Sequence, residues 1–397
     1  MKVLLINDYA VPQGGAEIAI LRLRDTLRDR GHDARLFASS AGNNGKYSQA
    51  DYTCFGTTSR FRTLLQTANP WAAIQLRRVM GSFQPDVVHV KMFLTQLSPL
   101  ILPLLKNVPS LYQIVWYRPI CPLGTKLLPD GTLCHSPPGA VCYRSGCLPL
   151  HDWLPLMLQL RLWRRWRGMF DLIVANSEAV KRRLVSEGIE PVQVIWHSVP
   201  AKPSRPPLAT PPTVAFAGRL VREKGADVLL RAFVNVAQQI PEARLVIYGD
   251  GPERARLEKL ADDLCLADRV SIRGFQPHEE ATSSFNHAWV VAIPSRWEEP
   301  FGMVAAEAMM AGTAVVASRS GGLTEIIRDG ETGLQVPPDN ADALASALLR
   351  LLRDRDLAER MGQAGREVAL TEFNEAVVVD RFVQLYQWLV CNRARNR

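Results

Sequence analysis

No apolar run in this 397-residue chain approaches the length of a membrane span. The stretch L-S-P-L-I-L-P-L-L from Leu97 is short and is broken by two prolines. The apolar residues after Lys2 end at Asn7-Asp8, too early for a secretory leader. Both absences point to a cytoplasmic protein, with at most a peripheral hold on the inner face of a membrane. Seven cysteines, an odd number in a long chain, argue against a secreted disulfide framework. Four of them cluster, Cys121, Cys134, Cys142 and Cys147, with His135 and His151 nearby. They lack any short C-x2-C pair, so a structural zinc is the weaker reading beside free thiols or a redox-sensitive pair. No zinc finger, RRM signature or basic zipper is present, which removes nucleic acid from the expected partners. Short-period repeats and low-complexity tracts are missing too. The turn Gly249-Asp250-Gly251-Pro252 lacks the third glycine of a dinucleotide fingerprint, because Arg254 stands there, and this excludes a nicotinamide site.

What remains is an ordinary globular composition, 47% hydrophobic and 22% charged, long enough for two domains. The charge is uneven. Residues 1–200 hold 23 Lys and Arg against 13 Asp and Glu, whereas residues 201–397 hold 24 against 26. A basic first half suits an anionic partner, such as a phosphorylated substrate or an anionic membrane surface. Six prolines between Val199 and Thr213 read as a semi-rigid linker, and each half begins afresh with strand, turn and helix. Apolar strands alternating with helices imply parallel sheets. The expected architecture is therefore α/β, two doubly wound Rossmann-like domains facing each other across a cleft. The boundaries expected are 1–200, a linker at 201–213, 214–372, and a terminal helix from 373 that packs back on the first domain.

The nine residues E-P-F-G-M-V-A-A-E from Glu299 to Glu307 carry the most chemistry. A buried-strand pattern precedes them from Trp289, Pro300 suits a first helical position, and Gly312 stops the helix. A helix N-terminus offers free N–H groups and positive dipole to phosphate. Eight helical residues span about 12 Å, so Glu299 can meet a sugar and Glu307 a ribose on either flank of a diphosphate. Arg219 and Lys224 follow the strand T-V-A-F-A at a sheet's carboxyl edge, where two fixed cations can neutralise a leaving diphosphate. The turn at Gly249 and Gly251 lies near the nucleotide. Gly14 and Gly15 leave room for a ligand against the first helix. Ser320-Gly321-Gly322 is either a backbone-approach point or a plain turn. Asp354-Arg355-Asp356 matches a D-x-D pattern but lies in a charged helical tail, so no metal is required.

Together these pieces resemble glycosyltransferase family 4, retaining nucleotide-sugar transferases of the GT-B fold. The resemblance rests on G-G-A-E at Gly14, G-R-L-V-R-E-K-G at Gly218, Y-G-D-G-P at Tyr248, E-P-F-G-M-V-A-A-E at Glu299, and S-G-G-L-T-E-I-I at Ser320 with D-G-E-T-G-L after it. It implies that Arg219 and Lys224 bind the donor diphosphate, with Glu299 on the donor sugar and Glu307 on the ribose. Main-chain groups of Phe301, Gly302 and Met303 would cradle phosphate. Gly14, Gly15, Gly218, Gly249, Gly251 and Phe275 complete the expected donor side. No cofactor is implied beyond the nucleotide-diphosphate sugar itself. The sequence departs from the family where many relatives have a His-Asp pair, here Val115-Trp116, and at V-H-V-K, where Lys91 replaces a second His. His89, Lys91 and Trp116 are the acceptor-side candidates. The alternatives are a nucleotide-sugar epimerase of similar shape and a non-catalytic nucleotide-sugar-binding relative.

The stretch His151–Phe170 combines Trp153, Trp163 and Trp166 with Arg161, Arg164, Arg165 and Arg167. It reads either as a helix lying on an anionic bilayer or as a core helix capped by arginines. The first reading suits a lipid-linked acceptor; the acceptor expected overall is a glycan or a lipid-linked molecule.

Overall fold

The computed structural model describes residues 1–12, 14–42 and 48–395. The chain forms two compact units, Met1–Trp196 with Ala376–Arg397, and His197–Glu375. The first unit holds a seven-stranded sheet of β1 (Lys2–Asn7), β2 (Asp33–Ser39), β3 (Tyr52–Cys54), β4 (Val87–Val90), β5 (Ser110–Ile114), β6 (Leu172–Ala175) and β7 (Val192–Val194). Its spatial order is β3-β2-β1-β4-β5-β6-β7, and every pairing is parallel. The second unit holds β8 (Thr213–Ala217), β9 (Arg244–Tyr248), β10 (Val270–Ile272), β11 (Val290–Ile293), β12 (Ala314–Ser318) and β13 (Leu334–Val336). Their order is β10-β9-β8-β11-β12-β13, again all parallel.

Helices cover both faces of each sheet, so the central strands are buried throughout and read as continuous Val, Ile, Leu and Ala runs. In both sheets the strand order reverses beside the first strand, between β1 and β4 and between β8 and β11. Crossovers diverge there and leave room for a ligand beyond the strands' carboxyl ends. Each unit is thus a doubly wound, Rossmann-like parallel sheet. The short strands β3, β7 and β13 escape the sequence pattern, because an edge strand of three residues gives almost no periodicity.

Several local expectations change. The proline-rich segment is no free-standing spacer. Arg205 N donates to Ala311 O, Leu208 N donates to Glu359, and Leu208 joins the core of the second unit. The helix expected from Pro300 starts at Met303, with Gly302 at its N-cap in the left-handed region, φ 104°. The preceding backbone is held out of helix because Gly322 N donates to Glu299 O at 2.7 Å. Glu299 and Glu307 are therefore not two points on one helical face. β10 stops at Ile272 because Gly274 turns the chain at φ 72°, which leaves Phe275 outside the sheet.

The C-terminal helix Glu375–Arg395 is built into the first unit. Val378, Phe382, Leu385, Tyr386 and Leu389 pack with Val3, Leu5, Ile20 and Leu36. Ion pairs Arg30–Asp380 (2.5 Å) and Arg393–Asp171 (2.6 Å) tie both ends of this helix down. Under it lies His89, fully buried, with its ring nitrogens 2.6 Å from the Tyr386 hydroxyl and 3.2 Å from Gln113 Oε1. Burial, reinforced by Lys91, lowers the His89 pKa to about 3. A group depressed in the fold contributes stability above its unfolded pKa and loses it as pH falls toward the folded one. Between pH 5.5 and 4.5 the chain should therefore lose about 1.3 kcal/mol per pH unit more than His89→Gln, read from urea unfolding at each pH. Equal slopes would refute the neutral buried imidazole.

Candidate functional site

In the second unit the chain leaves β8 at Gly218-Arg219 and makes a single turn at Arg222–Lys224. Gly225 follows in the left-handed region at φ 68°, and the helix Ala226–Gln239 starts there. A Cβ at Gly225 would sit 2.0 Å from Pro294 O, so only glycine lets this turn press against the loop that leaves β11. That approach brings Lys224 to Glu299, with Nζ 2.6 Å from Oε1. Ser295 Oγ donates to the same oxygen at 2.6 Å, and the ammonium lies 5.2 Å from the centre of the Trp297 ring. Glu299 is buried. Burial disfavours its charge, but Lys224, Ser295 and Trp297 together outweigh that effect and hold its pKa below the ordinary carboxylate value. The site thus contains a permanent buried anion locked to a cation. Arg219 is exposed and forms no ion pair among the described residues.

Arg296 holds the two loops in register. Its guanidinium grips Asp227 at 2.6 and 2.9 Å, reaches Asp339 at 2.8 Å and donates to Arg222 O at 3.0 Å. Its backbone N donates to Glu223 O at 2.8 Å. Burial works against the Asp227 carboxylate, yet the bidentate Arg296 fork keeps its pKa lowered. No motif pointed to Arg296 or Asp227. The only available signal was an Arg three residues before Glu299 and an acid in a helix's first turn.

The helix Met303–Ala311 has no side-chain cap, so its first N–H groups are free to meet an anion. Phe301 itself is buried against His197 and Phe373, at ring separations of 6.0 and 5.6 Å, and only its backbone is available to a ligand. Glu307 lies on the same helix, 6% exposed, with Oε1 3.1 Å from His278 Nε2. That oxygen has no hydrogen-bond partner among the described residues. The sequence did not reveal the approach of His278.

The glycines have local causes. A Cβ at Gly249 would meet Gly218 O at 1.8 Å, and one at Gly251 would meet Leu220 O at 2.4 Å. Both positions serve the packing of the β9 turn on the β8 turn. Gly321 and Gly322 would likewise collide with the backbone of Glu299 and Phe301, so this pair supports the acidic loop. Phe275 stands 69% exposed beyond β10.

The first unit has its own charged cluster at the carboxyl ends of β1 and β4. Asp8, fully buried, accepts from Thr95 N and Oγ1, Gln96 N and Leu97 N at 2.6–2.9 Å. Burial nonetheless raises its pKa. Lys91 is buried as well, which lowers its pKa to about 7 against the opposing pull of Glu17. Gly14 caps the first helix with Gly15 as its first residue, and a Cβ at Gly14 would lie 2.5 Å from Glu17 Oε2. The space beside Gly14 is therefore taken by Glu17 of the same helix. His89 is a core residue and no surface candidate. Trp116, half-buried, lies over Gly124, where a Cβ would come within 2.6 Å of the indole. Cys121 and Cys142 are buried, Cys134 and Cys147 are half-buried, and all four are free thiols. Among the described residues no group of three His, Cys, Asp or Glu side chains is arranged to hold a metal ion.

Two family profiles match the chain, "Glycosyltransferase Family 4" over residues 13–203 and "Glycosyl transferases group 1" over residues 201–368. Alpha-D-kanosaminyltransferase of Streptomyces kanamyceticus is 35% identical over 176 residues, 44% of this chain and 45% of that protein. The GDP-mannose-dependent alpha-(1-6)-phosphatidylinositol monomannoside mannosyltransferase of Mycobacterium tuberculosis is 40% identical over 162 residues, 39% and 42% of the two chains. The match thus spans less than half the length of these relatives. Among solved structures, sucrose-phosphate synthase of Thermosynechococcus elongatus superposes with a TM-score of 0.74 at 25% identity, covering 98% of this chain and 99% of that one. HepE of Anabaena, solved in complex with UDP, gives 0.69 at 20% identity, covering 98% and 100%.

If Arg296 is the clamp, Arg296→Ala should cost about 2–4 kcal/mol in urea unfolding. Arg219→Ala should stay within about 0.5 kcal/mol of the parent. Comparable losses would remove the distinction between a positioning cation and an open one.

Proposed function

The chain belongs to glycosyltransferase family 4, and on that premise we propose that it is a retaining transferase that moves a sugar from a nucleoside-diphosphate donor to a glycan or lipid-linked acceptor. The observation that carries the reading is the pair of half-buried Lys224 with buried Glu299, with exposed Arg219 on the same turn sequence, at the point where the strand order of the sheet reverses. An ammonium has three donors. One is spent on Glu299, and the others can reach diphosphate oxygens without breaking the pair. Arg219 adds a planar fork, and the uncapped N–H groups at Phe301, Gly302 and Met303 add dipole.

These charges sit where negative charge grows as the bond from the sugar C1 to the diphosphate oxygen breaks. The acceptor oxygen bonds to C1 on the same face, and its proton passes to the departing phosphate oxygen, so configuration is retained. Glu299 orients the sugar through a hydroxyl. Glu307 accepts from the ribose, which would supply the hydrogen bond that its buried Oε1 lacks. Two protein cations make a divalent metal unnecessary in this scheme. A relative whose name includes phosphatidylinositol monomannoside supports the lipid-linked acceptor class. The UDP of HepE and the GDP-mannose of the mycobacterial relative support a nucleoside diphosphate as the shared donor element.

UDP or GDP should raise the melting temperature, and the matching nucleoside should raise it far less. Glu307→Ala should shrink the shift for every nucleotide. Arg219→Ala with Lys224→Ala should lower turnover by about 10²–10³ while nucleoside affinity changes by less than about tenfold. EDTA should leave turnover unchanged. Full turnover in the double variant would end the proposal.

A further inference from the structure

The first unit carries a contiguous apolar face that its fold does not use. Phe61 and Leu64, on and beside the helix Arg62–Thr67, are more than half exposed. So are Trp71 and Ile74 of the helix Pro70–Phe83, and Leu154 and Leu158 of the helix Leu150–Trp166. These elements are neighbours. Thr63 Oγ1 donates to Asp152 at 2.7 Å, Thr67 Oγ1 donates to Pro155 O at 2.9 Å, and the Phe55 and Trp71 rings meet edge-on at 5.4 Å. Leu150, Leu154 and Leu158 recur at i, i+4 and i+8, while Leu156, Leu160 and Trp163 face inward. Each longer helix then changes character along the same exposed side. The leucine stripe continues into Arg161 and Arg165, and Trp71 with Ile74 continues into Arg77 and Arg78.

Residues 52–85 contain four arginines and no Asp or Glu, and residues 153–170 contain another four and none. Asp152, in the first turn of the helix Leu150–Trp166, is engaged by Thr63. Scattered single apolar residues need no explanation, but this many on adjoining elements mark a docking surface. Apolar side chains bordered by arginines, with aromatic residues among them, match a bilayer interface carrying anionic headgroups. Among the described residues no helix is long and apolar enough to cross a membrane.

We propose that this three-helix face docks the chain onto an anionic lipid surface, with Phe61, Leu64, Trp71, Ile74, Leu154 and Leu158 entering the headgroup layer and the eight arginines meeting lipid phosphates. The surface is wider than the single Trp-rich helix that the sequence singles out. Trp163 of that helix is core, stacked edge-on against Tyr112 at 5.4 Å. The inference rests on exposed residues of the first unit and not on the donor reading.

Flotation of the full chain with vesicles tests it. Vesicles of phosphatidylcholine with about 30 mol% phosphatidylglycerol should retain the chain, and pure phosphatidylcholine should not. Retention should fall in about 0.5 M salt. Leu154→Glu with Leu158→Glu, and separately Arg77→Glu with Arg78→Glu, should each weaken retention at least about tenfold. Both pairs should keep the parent's melting temperature and its thermal shift with UDP or GDP, so loss of docking is separable from loss of fold or donor binding. Retention that ignores lipid charge, no retention at all, or a light-scattering dimer abolished by the leucine pair would overturn the proposal; the last would assign the face to a second copy of the chain.

Discussion

A carboxylate shut away from water beside an ammonium is the interaction on which the second unit turns. Glu299 is buried and Lys224 is half-buried, so it is the carboxylate that depends on its partner. An uncompensated buried charge costs several kcal/mol, and the pair recovers this only when geometry and extra hydrogen bonds are good. Ser295 and the Trp297 ring provide those additional contacts. The arrangement therefore fixes a cation at the carboxyl end of the sheet without relying on a flexible surface lysine. A preset positive charge needs no reorganisation when an anion departs, which makes it suited to catalysis rather than merely to binding.

Holding that pair together takes backbone contacts that only glycine permits. Gly225 lets the lysine turn touch Pro294 O, and Gly321 with Gly322 lets another turn lie against the backbone of Glu299. Arg296 then bolts the two loops to Asp227 and to the carbonyls of Arg222 and Glu223. Several glycines that a motif reading assigns to the ligand are thus explained by loops packing on loops. Arg219 has no such restraint, which leaves its fork available.

The first unit treats charge differently. Asp8 and Lys91 are buried at strand ends with half-buried Glu17 of the first helix close by, and desolvation pulls all three toward neutrality. On its outer face the same unit carries exposed arginines beside exposed apolar side chains. One set of charges is suited to short-range chemistry at strand ends, the other to an extended anionic surface.

The alternation of apolar strands with helices and the strand–turn–helix at each half's start were legible in the sequence, because buried parallel strands and glycine-bearing turns leave periodic and local signals. Strands β3, β7 and β13 were not, being too short for a period. The helix after Glu299 began three residues late because a hydrogen bond from a distant turn, Gly322 N to Glu299 O, overrode the local preference of Pro300. His89 was legible as a residue and not as a role. Its burial under Tyr386 comes from a helix almost three hundred positions away. The sequence alone determined the elements and the motif residues, since those depend on neighbours along the chain. Which glycines serve packing, which arginine clamps and which stays open, and which helix faces remain uncovered were decided by the tertiary structure, because each depends on atoms that only folding brings within a few ångströms.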